Sequence, residues 1–79
     1  MPIDTKELDM KLEEILKKIL KNEKIDFEAT IEDIPEWDSF AHIQLLDAIE
    51  EEFKIEIEFN DVLIMTSIPI IKNKIMNYL

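Results

Sequence analysis

Apolar residues return at helical spacing in three separate stretches, which restricts the chain to helices packed on helices. Over residues 4–22, Leu8, Leu12, Ile15, Leu16 and Ile19 fall on one side, and Lys11, Glu14, Lys17, Lys18 and Lys21 occupy the rest. Over 38–53, at about 100° per residue, His42, Leu45, Leu46, Ile49 and Phe53 share a side opposite Gln44, Asp47, Glu51 and Lys54. Near the end of the sequence, Ile68, Ile71, Ile75, Tyr78 and Leu79 form a third stripe. Each stripe needs a cover, and the three can cover one another. With 79 residues, 47% of them apolar, one small core and a single domain over 1–79 are expected.

Two residue types are missing from that scaffold. There is no Cys and no Gly. Disulfides and thiol chemistry of the chain's own are therefore excluded, as is a Gly-rich phosphate loop. Turns fall to Asn, Asp and Pro.

The helix ends follow from local chemistry. Asp4 is placed to cap the first helix, and Glu7 to reach back to it as in a capping box. The Lys cluster toward Asn22 suits the negative end of the dipole. Residues 23–36 have no clean period. Ile25, Phe27, Ile31 and Ile34 read as anchors by which this segment crosses the bundle and delivers Trp37 and Ser39 to one end. Pro35 disfavours helix at Ile34, and Asp38 or Ser39 caps a second helix running to about Phe53. Trp37 is expected to pack on the first turn, close to a partly buried His42.

Residues 54–59 alternate as a strand would, but a lone strand among helices has no partner. An extended connector is expected instead. A short third helix over about Asp61–Met65 is capped by Asn60 or Glu58. Ser67 caps the fourth helix, with Pro69 in its first turn. The predicted fold is all-α: a small four-helix bundle of three main helices and a short third one.

Charge narrows the partners. Nineteen acids face nine bases, all of them Lys, for a net charge of −10. Residues 34–60 hold eight of the acids and one Lys. Nucleic-acid backbones need clustered cations and are excluded as partners. Basic proteins are favoured, and self-association is opposed, so a monomer is expected. No leader-like apolar run occurs in the first thirty residues. The longest unbroken run, Val62 to Met65, cannot span a bilayer, so no membrane insertion and a cytoplasmic location are expected.

No catalytic residue is assigned. Ser39 and His42 can approach on one turn, but a nucleophile–base pair also needs an orienting acid and an oxyanion hole. One His without Cys rules against structural zinc, and Asp47, Glu50, Glu51 and Glu52 lie in different directions around their helix, so no metal site is assigned. Phe40 projects onto the polar side, beside Ser39 and in line with Asp47 and Glu51, with Ile43 at the margin. Either Phe40 belongs to a contact surface, or it folds back under the preceding loop.

The run Trp37-Asp38-Ser39-Phe40, followed by Ala-His-Ile-Gln-Leu-Leu-Asp-Ala-Ile-Glu-Glu-Glu-Phe, resembles the acyl carrier proteins and related phosphopantetheine-binding carriers, whose hallmark is Asp-Ser-Leu at the start of the second helix. Phe53-Lys-Ile-Glu-Ile is similar to the segment after the family's second helix, and Met65-Thr-Ser-Ile to the usual start of its fourth. The resemblance covers roughly residues 4–79 in element order and is specific over 34–68. It implies that Ser39 carries 4′-phosphopantetheine, attached from coenzyme A by a phosphopantetheinyl transferase with Mg²⁺, and that Asp38 helps position the transferase's metal and coenzyme A. It implies an arm ending in a thiol that holds acyl or aminoacyl thioesters. Partners would be a loading ligase and downstream transferases or synthases with basic surfaces, meeting Phe40, Ile43, Asp47 and Glu51. Phe40 replaces the family's Leu, and Glu36 stands where Gly is frequent. The alternative is a small acidic helical inhibitor of a basic enzyme, similar to the immunity proteins of nuclease toxins, or a carrier-like module that is never modified.

Overall fold

The computed structural model describes residues 4–79 and contains four helices: α1 (Thr5–Leu20), α2 (Ser39–Phe53), α3 (Phe59–Ile64) and α4 (Ile68–Tyr78). Asp4 caps α1, its side chain accepting the Lys6 amide. Glu7 does not complete a capping box; it pairs with Lys11 one turn on, at 3.7 Å. The helix ends at Leu20, two residues before the expected Asn22. Lys21 turns the chain there in a left-handed conformation, φ 53°. Lys54 does the same after α2, φ 57°. This position ordinarily goes to Gly, which has no Cβ to clash, and a Gly-free chain must put a side chain there.

One apolar cluster holds the helices together. Leu8, Leu12, Leu16 and Leu20 of α1 face Leu45, Leu46, Ile49 and Phe53 of α2 and Ile68, Ile71 and Ile75 of α4, all buried. The expected α1 stripe is displaced: Ile15 and Ile19 sit at its margin and Leu20 takes the buried place. Leu79, expected inside, is largely exposed, and Tyr78 is half-buried. Across α1 and α4, Asp9 Oδ1 is shut off from solvent and is neutralised by Lys72 Nζ at 2.9 Å.

The segment between α1 and α2 packs as expected. Ile34 is buried, and Ile25, Phe27 and Ile31 lie against the core. Ala29 is also buried. The segment is fastened to the α3–α4 junction by an isolated antiparallel bridge between Thr30 and Ser67. The Ile31 amide donates to the Thr66 carbonyl at 2.8 Å, and the Ile68 amide to the Ala29 carbonyl at 3.0 Å. Among the described residues there is no strand; 55–58 is an extended connector, tied to α2 by the Ile57 amide donating to Glu50 Oε2 at 2.7 Å. Ser67 caps α4, its hydroxyl accepting the Ile70 amide at 3.3 Å, with Pro69 in the first turn.

Candidate modification site

The junction at Ser39 is built from the turn that precedes it. The Trp37 amide donates to the Ile34 carbonyl at 3.0 Å, which closes a turn around Pro35. Asp38 follows with extended dihedrals and caps α2; its Oδ1 accepts the Ala41 amide at 2.8 Å, and its carbonyl accepts the His42 amide at 2.8 Å. Of the two caps open from the sequence, Asp38 is the one used. Ser39 is then the first residue of α2 and is exposed. Its amide and that of Phe40 belong to the set a helix cannot pair internally, and they sit at the positive end of the dipole. An anion attached at this hydroxyl is favoured by that field.

Trp37 fixes the junction from below. Its ring is 2% exposed. Its Nε1–H donates to His42 Nδ1 at 3.0 Å, the two rings lying 5.9 Å apart and tilted by 34°. Because Nδ1 accepts, the imidazole hydrogen is on Nε2, which donates to the Val62 carbonyl at 2.9 Å. His42 is therefore half-buried beside Trp37, as expected. It also does what the sequence gave no sign of: it ties the first turn of α2 to α3.

Of the two expectations for Phe40, burial under the preceding loop is overturned. Phe40 is 71% exposed and does not fold under the loop. Ile43 is 59% exposed, and Gln44, Asp47 and Glu51 are exposed on the same helix. The short third helix is expected, but its exposed apolar residues are not. None of its residues is fully buried, and Phe59 and Leu63 are 72% and 61% exposed. α3 has six residues and sits at the rim, where Val62 alone of its apolar residues packs against the core.

The start of α3 is two residues earlier than expected, and Glu58 caps it without a side-chain bond. The Tyr78 hydroxyl instead accepts the Glu58 amide at 3.0 Å and donates to Asp61 Oδ2. Lys74 Nζ lies 3.3 Å from Asp61 Oδ1. The Tyr78 bond, with Lys74 behind it, holds the Asp61 carboxyl below its ordinary 3.8. The same bond to Asp61 raises the Tyr78 phenol above its ordinary 10.0. A depressed carboxyl pKa contributes stability above the unfolded value and loses it as pH falls through the folded one, so this linkage weakens only below about pH 4. At the alkaline end the raised phenol is lost as pH climbs past 10. Tyr78→Phe is expected to move the Asp61 carboxyl up toward 3.8, read from its ¹³C shift through an acid titration. An unmoved Asp61 would mean that Tyr78 is not its partner.

No described helix is long and apolar enough to cross a membrane, and no group of three or more His, Asp and Glu side chains among the described residues could hold a metal ion. Comparison with protein-family models, with curated proteins and with solved structures gives no match. The fold and the site together define a small helical domain that presents one capped, exposed serine at the start of its second main helix.

Proposed function

We propose that this chain is a carrier protein, holding acyl or aminoacyl intermediates as thioesters on a 4′-phosphopantetheine arm at Ser39 and having no catalysis of its own. The observation that supports it best is the exposed Ser39 hydroxyl at the first position of α2, with Asp38 spent on the cap beside it. The resemblance of 34–68 to phosphopantetheine-binding carriers gives that geometry its chemistry. In the attachment step, Ser39 Oγ attacks the phosphorus on the pantetheine side of the coenzyme A pyrophosphate. The bond to the adenosine bisphosphate half breaks, and the hydroxyl proton passes to a base of the transferase. In this reading Asp38, whose Oδ1 caps α2, would help orient the transferase's Mg²⁺ and coenzyme A through its other oxygen, a role the resemblance implies.

The partners in this reading are the transferase, a cytoplasmic loading ligase, and the enzymes that take the cargo on. The exposed side of α2 supplies Phe40 and Ile43 as apolar contacts and Asp47 and Glu51 as charges for basic partner surfaces. Apolar anchors ringed by charge give an interface both affinity and steering.

The test is incubation of the purified chain with coenzyme A, Mg²⁺ and a broad-specificity phosphopantetheinyl transferase, followed by intact mass and fragment mapping. One phosphopantetheine on the peptide containing Ser39 is expected. A chain that is helical by circular dichroism and gains no mass rejects the carrier reading.

A further inference from the structure

A thioester cargo on a flexible arm can rest in solvent or inside the protein, and every added methylene increases the drive toward the inside. Whether an interior place exists is a property of this chain. Below α2, Leu45, Ile49, Met65 and Ile68 are all fully buried. The open grooves lie elsewhere. One runs between α1 and the later half of α2, over Ile15, Ile19 and Ala48; another is at the end of α1; a third lies between Phe27 and Met76. Ser39 lines none of them.

The seam beside Ser39 is the one between the start of α2 and α3, and His42 crosses it. Its ring uses both nitrogens, accepting from buried Trp37 and donating to the Val62 carbonyl. Next to Val62, Asp61 of α3 is held to α4 by Tyr78 and Lys74. A chain entering there must part α3 from α2 and break the His42–Val62 bond, leaving the His42 Nε2–H and the Val62 carbonyl facing apolar cargo, while the Trp37 bond holds the imidazole across the entry. Unpaired buried polar groups oppose that insertion.

We propose that the Trp37–His42–Val62 bridge closes the interior to cargo, so that the group carried at Ser39 is a short or polar acyl group that stays outside the bundle. The inference rests on the carrier reading and names the cargo class that reading leaves open. His42 acts as a specificity-determining residue, without touching the thioester.

The experiment loads the chain with acetyl-, hexanoyl- and decanoyl-phosphopantetheine from the corresponding coenzyme A thioesters. Mass confirms loading, methyl NMR follows Leu46, Val62 and Met65, and hydroxylamine cleavage measures thioester exposure. The parent chain is expected to show the same methyl shifts and the same cleavage rate for all three cargoes. In His42→Ala, methyl shifts should grow with chain length and cleavage of the decanoyl thioester should slow several-fold. Trp37→Phe, which removes the N–H and keeps a buried ring, should fall between them and serves if His42→Ala does not fold. Absence of any mass gain removes the carrier reading and this inference with it. Successful loading with core methyls that follow chain length in the parent overturns this inference alone. So does a folded His42→Ala that behaves as the parent.

Discussion

Ser39→Ala is expected to lose the phosphopantetheine mass gain completely while unfolding within about 0.5 kcal/mol of the parent chain in urea. The two halves of that expectation have separate causes. In the proposed carrier reading the loss is total because the hydroxyl would be the attacking atom, and no neighbouring residue offers a substitute: Asp38 is an acceptor already bonded to the Ala41 amide. Stability is spared because Ser39 is exposed, the cap belongs to Asp38, and Ala is an excellent helix former. Far-UV circular dichroism and a urea midpoint establish the fold in the same samples that go to the mass spectrometer. Continued loading of Ser39→Ala would move the attachment site elsewhere. A large drop in the midpoint would mean that Ser39, and not Asp38, carries the cap.

The junction was legible in the sequence because each of its signals is local. Pro35 limits helix at Ile34, Asp38 supplies the cap oxygen, and the stripe from Leu45 to Phe53 sets the inward face of α2. The same is true of Ser67 and Pro69 at the start of α4. What escaped depends on tertiary neighbours. Ile19 and Leu20 lie next to each other in sequence, and only packing decides that Leu20 is the one buried. Ala29 carries no periodic signal and is buried because its carbonyl pairs with the Ile68 amide across the bridge to α4. Phe59 and Leu63 have core spacing but lie at the rim, where α3 has solvent on its outer side. The His42–Val62 and Tyr78–Asp61 bonds join residues twenty and seventeen positions apart, so no window along the chain contains either pair. The gap falls on the candidate site as well. The sequence marks Ser39 and the acidic side of α2, but not the His42 bond that joins α2 to α3 beside them.

Trp37 is the large buried side chain under this junction, so its loss should cost the fold heavily. Trp37→Ala is expected to lower the free energy of unfolding by about 3–5 kcal/mol. The ring is 2% exposed, so its removal leaves a cavity beneath the Ser39 junction and takes the donor from His42 Nδ1. Small domains begin with only about 5 kcal/mol at the low end of the usual range, so much of this variant would be unfolded at 37 °C. Trp37→Phe separates the two contributions. It keeps most of the buried ring and gives up the N–H, so a loss nearer 1 kcal/mol is expected from the hydrogen bond. Urea denaturation followed by circular dichroism compares the three chains, since the single Trp cannot report on its own removal. If Trp37→Ala and Trp37→Phe were equally mild, the indole would not be the plug that fixes the junction. Ser39 would then be positioned by the Asp38 cap alone. If Trp37→Ala is severe and Trp37→Phe mild, burial of the ring sets the position of Ser39, and the bond to His42 is left free to act on the seam with α3.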